Sequence, residues 1–160
     1  MLLLFTALFS LMLLLSAKGL LKRLGTTETV VCTLFNSFLC QHINFKIFSA
    51  YDRLSIKEEW IPRIVSNLHF GLLLPLLLTW VVYLFCSGIP TIYRLAIAMC
   101  WVGIDVVGKY VLLKEGTLLS GASGWYPIID VSISVGIVLL AFIFMNRFSS
   151  ILRKEIGFIE

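Results

Sequence analysis

Two side chains mark where chemistry could sit in this chain. Asp105 and Lys109, an acid and a base four residues apart, lie inside the apolar run 94–113, RLAIAMCWVGIDVVGKYVLL. Four residues turn through about 400° of helix, so both side chains share one face. An unpaired charge in hydrocarbon costs roughly 2.5–3.5 kcal/mol on insertion scales, so such residues turn toward protein or water and find partners. A pair placed this way can lock helices together, relay a proton or hold a charged ligand. Asp130 adds a second carboxylate near the start of the next apolar run. Two carboxylates that share a proton can activate water. Asn36, Asn44 and Asn67, with Asp130, are the other candidates for an interior polar face.

The elements that must position these groups are membrane helices. The chain has 160 residues, of which 59% are hydrophobic and 14% charged, and a mean hydropathy of +0.99. Soluble domains average about 45–50% apolar and 25% charged residues, so lipid is the expected solvent. The predicted fold is all-α, one bundle of five transmembrane helices over 1–160, reduced to four if the second lies on the surface. The net charge of +4 does not point to nucleic acid, because the basic residues sit in short connections where topology and headgroups account for them. The expected partners are the bilayer and other membrane-protein subunits.

The first run, 2–21, has no Lys or Arg before Lys18, so it lacks the positive region of a cleaved signal peptide and is read as a retained helix. In the second, 29–48, Thr29, Thr33, Asn36, Ser37, Cys40 and Asn44 gather on one side. The helix therefore either spans with its polar stripe inward or lies in the interface. A charged connector, 49–62, reads as a solvated loop with Trp60 as an interface anchor. The third run, 64–86, repeats Asn67, Gly71, Pro75 and Thr79 every four residues. Pro75 cannot donate to the Gly71 carbonyl, which is left for a neighbouring side chain or water. The fourth, 95–113, sets Trp101, Asp105 and Lys109 on one ladder. A glycine-rich loop, 115–127, leads to the fifth, 128–145, where Ser132 and Gly136 have the spacing of a close helix contact. Counting Lys and Arg gives a small excess on the side of Lys18, Lys22, Arg23, Arg94, Arg147, Arg153 and Lys154 over that of Lys46, Arg53, Lys57, Arg63 and Lys114. The N-terminus is accordingly expected outside.

Other chemistries find little support. Cys32, Cys40, Cys86 and Cys100 form no CxxC, so they read as small packing residues rather than a disulfide framework or zinc site. His42 and His69 are distant from each other and have no spaced carboxylate, so no metal site or cofactor is expected. Gly121-Ala122-Ser123-Gly124 resembles the GxSG motif of rhomboid proteases. Both histidines precede it, however, and a serine without a base is a poor nucleophile.

Asp130-x-x-Ile133-x-x-Gly136-x-x-Leu139-Leu140 resembles the stretch after the second catalytic aspartate of lipoprotein signal peptidases, which are short multi-pass aspartyl enzymes. Ile104-Asp105-x-x-x-Lys109-Tyr110 resembles that family's first-helix motif, displaced toward the C-terminus. The resemblance implies an intramembrane peptidase using Asp105 and Asp130. It departs from the family at Val102, Val106 and Pro127, where Asn, Arg and Asn are usual. The residues themselves favour a non-enzymatic accessory or scaffold component of a bacterial cytoplasmic membrane. The alternatives are that peptidase and a small carrier or channel built on Asp105 and Lys109.

Overall fold

The computed structural model describes residues 2–50, 53–121 and 124–156. Five helical stretches follow one another: α1 (Leu2–Leu24), α2 (Thr26–Ala50), α3 (Trp60–Cys86), α4 (Thr91–Lys114) and α5 (Pro127–Ile156). Two three-residue strands, β1 (Leu54–Ile56) and β2 (Leu118–Ser120), precede α3 and α5. Four stretches are long and apolar enough to cross a membrane: Leu3–Leu21, Trp60–Cys86, Thr91–Lys114 and Pro127–Leu152. The chain is thus an all-α bundle with the character of a multi-pass membrane protein.

α2 carries more polar residues, and the fold shows where they go. Thr29, Cys32, Asn36, Cys40 and Asn44 are buried, while Val30, Leu34 and Phe38 are exposed. Polar inside and apolar outside is the reverse of a water-soluble helix. The buried stripe packs on α3 through hydrogen bonds. Asn36 Nδ2 donates to Thr79 Oγ1 at 3.1 Å, and Thr79 Oγ1 donates in turn to the Pro75 carbonyl at 2.9 Å.

The expected break at Pro75 takes a definite form. α3 is α-helical over Trp60–Leu68, widens into a π turn over His69–Leu73, and returns to α over Leu74–Cys86. Ser37 Oγ donates to the Gly71 carbonyl at 2.7 Å, which fills the vacancy that proline creates. Gln41 closes over Gly71, where an added Cβ would lie 2.3 Å from Gln41 Nε2. The π turn also breaks the four-residue stripe. Its wider winding shifts the register, so Ser66, His69 and Phe70 point inward and Asn67 is exposed rather than part of an interior polar face. Ser37→Ala should lower stability by about 1–3 kcal/mol, the cost of an unpaired buried carbonyl. In a Pro75→Ala background the restored N–H can bond Gly71, so thermal melts should show a smaller loss. Equal losses in both backgrounds would disconnect Ser37 from the proline.

The connections are more ordered than sequence suggested. α4 ends in a Schellman turn: Thr117 N donates to Leu112 O at 2.9 Å and Gly116 N to Leu113 O at 3.0 Å, with Gly116 at φ +67°. That turn launches β2, which pairs antiparallel with β1 in the register Leu54↔Ser120, Ser55↔Leu119 and Ile56↔Leu118. The charged connector is therefore tied down, not simply solvated. Leu54 and Leu118 are buried beneath the strand pair. Among the described residues, Ser132 and Gly136 do not make a close helix contact. Ser132 is exposed, nothing approaches a Cβ position at Gly136, and Ser134, Ile137 and Ala141 form the inward face of α5.

Candidate functional site

The acid–base ladder of α4 lies at the centre of a buried ionic cluster. Trp101, Asp105 and Lys109 all face inward, the last two fully buried. Trp101 Nε1 donates to the Leu74 carbonyl at 3.1 Å, fastening α4 to α3 immediately after its π turn. Lys109 Nζ lies 2.9 Å from Asp105 Oδ2 on its own helix and 3.2 Å from Asp130 Oδ1 on α5. One ammonium thus bridges the two carboxylates.

Asp130 is held on every side. It occupies the first turn of α5, where the helix dipole favours a negative charge. Its Oδ2 accepts from Trp125 Nε1 at 2.7 Å and pairs with Arg53 Nη2 at 3.1 Å. Arg53 also donates to the Tyr126 carbonyl at 3.3 Å. Its own carbonyl accepts from Gly121 N at 2.8 Å, so the strand pair fixes the arginine backbone at the end of α5. Ser134, one turn beyond Asp130, places its hydroxyl against both Asp105 Oδ2 and the Asp130 carbonyl. Its single proton serves one of them at a time.

The cluster contains two acids and two bases and carries no net formal charge, which is the condition for burying it at tolerable cost. Asp105 Oδ1 and Arg53 Nε make no hydrogen bond among the described residues. Outside the cluster, the Lys57–Glu59 ion pair at 2.7 Å is exposed, where pairs contribute little.

Comparison with protein-family models, with curated proteins and with solved structures gives no match. The site must therefore be judged on its own geometry.

Of the expected residues, Asp105, Lys109 and Asp130 come together. Asn36 and Asn44 are buried elsewhere along α2. Asn36 bonds to Thr79, and Asn44 Nδ2 donates to the Cys40 carbonyl at 2.7 Å within its own helix. Asn67 takes no part. Arg53 is the residue that sequence reasoning missed: placed in a solvated connector, it is only 5% exposed. Charge counting held a partial signal, since Asp105, Lys109 and Asp130 alone leave one buried negative charge that calls for a cation, without saying which one. Among the described residues no group of three His, Cys, Asp or Glu side chains could hold a metal. Cys32 and Cys40 are buried, as expected, whereas Cys86 and Cys100 are exposed. Of the GxSG sequence, Ala122 and Ser123 lie outside the described residues.

Proposed function

We propose that this protein is a non-enzymatic membrane component, an accessory or scaffold subunit crossing a bacterial cytoplasmic membrane five times with its N-terminus outside. The observation that carries this reading is the bridging of Asp105 and Asp130 by Lys109, with Arg53 and Trp125 closing the other side of Asp130. An aspartyl dyad needs two carboxylates that share a proton. Here an ammonium stands between them and contacts both, so the two carboxylates do not face each other directly. A network that joins α4, α5 and the strand pair in this way serves shape. The outward apolar face of α2 supports its assignment as the fifth span.

The test is purification from native membranes in mild detergent. The expected result is a stoichiometric complex with another integral membrane protein, and no cleavage of a lipid-modified signal-peptide substrate. A homogeneous preparation that cleaves such a substrate, and stops doing so on Asp130→Asn, would overturn the reading in favour of the peptidase.

A further inference from the structure

A cleft of about 420 Å³ opens on the side of the bundle between α1 and α4, with α3 as its floor. Phe5 and Phe9, stacked with ring centres 6.1 Å apart, line one wall, and Ile104 and Val107 the other. The α4 wall runs from Cys100 to Leu112, about 18 Å at 1.5 Å per residue. That is roughly half of the ~30 Å hydrocarbon thickness, the depth of one leaflet. The volume is in the range of small-molecule sites, about 300–1,000 Å³.

Apolar side chains line most of the cleft, together with Thr6, Cys100 and one unusual group. His69 reaches it from the π turn of α3, is 8% exposed, and its Nε2 makes no hydrogen bond among the described residues. Gly108 makes the room: a Cβ there would lie 2.7 Å from both His69 Cε1 and Nε2. A buried polar atom without a partner is costly, and a π turn is a frequent device for presenting a residue at a functional site.

Depth narrows the ligand. Taking α3 and α4 as centred spans, His69 and Gly108 lie about 6–9 Å inside the hydrocarbon at the end nearest the strand pair. The ester and phosphate oxygens of a phospholipid sit at the boundary, above that level. The group that fits carries its oxygen on a flat, mostly apolar body that enters the bilayer interior.

We propose that this cleft binds an isoprenoid quinone, its ring between Phe5, Phe9 and Val107 and one carbonyl oxygen accepting from the His69 imidazole, whose Nε2–H turns out of the Gly108 notch to donate. The inference rests on reading α3 and α4 as spans, not on the accessory role, and no electron transfer is part of it.

The experiment has two stages. Resistance of the protein to carbonate extraction from membranes tests the spanning assignment by itself. The purified protein in phosphatidylcholine nanodiscs is then incubated with decylubiquinone and freed of excess by gel filtration, and the retained quinone is measured by absorbance. About one quinone per protein is expected, with retention at least tenfold lower in His69→Phe. Val107→Trp, at a lipid-exposed position, should fill the cleft and abolish retention while leaving the thermal melt unchanged, which covers a failure of His69→Phe to fold. In protein labelled with ¹⁵N-histidine, the His69 Nε2 resonance should move on binding. Retention that is unchanged in His69→Phe or Val107→Trp, or no retention above that of empty nanodiscs, overturns the proposal. Displacement by excess phospholipid with no movement of the His69 signal would show an acyl-chain groove instead and overturn it equally.

Discussion

Lys109→Met is expected to be the most damaging single substitution in this protein. The lysine contacts both buried carboxylates, and removing it leaves Asp105 and Asp130 facing each other with Arg53 as the one cation of the cluster. Breaking a buried pair by deleting one partner typically costs about 3–5 kcal/mol, a large part of the roughly 5–15 kcal/mol that holds a domain together. The yield of monodisperse protein after detergent extraction should fall accordingly. Asp105→Ala alone should be milder, because Lys109 retains Asp130 and the Ser134 hydroxyl retains the Asp130 carbonyl, although the charge balance is lost. Combining the two restores neutrality: the Arg53–Asp130 pair remains, and the apolar replacements fill the α4 face. The double variant should therefore recover most of the yield. If it folds normally but no longer assembles or functions, the pair belongs to a ligand, relay or catalytic site, and the structural reading fails. If Lys109→Met folds as well as wild type, the cluster is not the buried network described above.

Which parts of this site were legible in the sequence follows from the distance over which each interaction acts. Asp105 and Lys109 were readable because a helix converts a spacing of four into a contact with no further information. Asp130 was readable as a charge in an apolar run, but its role as the second ligand of Lys109 depends on how α4 and α5 dock. Arg53 and β1 were not readable, because three-residue strands have no periodicity and their partners lie more than sixty residues away. Asn67 was misplaced for a local reason. Periodicity arguments assume constant winding, and the π turn at His69–Leu73 changes it between Asn67 and Pro75. The same proline supplied one correct expectation, that the Gly71 carbonyl would need an outside donor, since the missing N–H is a property of the residue itself. The direction of α2 was open because inside-out amphipathicity and interfacial amphipathicity look alike until the neighbours are placed.

The second large effect concerns the other half of the cluster. Arg53→Met should strip Asp130 Oδ2 of its cation and release the connector from the Tyr126 carbonyl. The carboxylate would keep Lys109 and Trp125, so the loss should be less than that of Lys109→Met. It should be localised: hydrogen exchange is expected to quicken in Leu54–Ile56 and Leu118–Ser120 before it changes in α3. Asp130→Asn should weaken the same strand pair by stranding the guanidinium, a group whose charge cannot be relieved by deprotonation. Arg53→Met with Asp130→Asn leaves Asp105–Lys109 as a neutral pair, and the thermal melt should return toward wild type. Arg53→Met with Asp105→Ala is the sharper comparison. It is equally neutral and leaves Lys109–Asp130 intact at 3.2 Å, but it removes an acid and a base that do not touch. If both doubles recover equally, charge balance alone governs the cluster. Recovery confined to the contacting pair would mean that Arg53 and Asp130 are coupled by direct contact, the loss in each single variant coming from the partner left unpaired. The direct contact of Arg53 Nη2 with Asp130 Oδ2 at 3.1 Å, beside Trp125 Nε1 on the same oxygen, favours that second outcome.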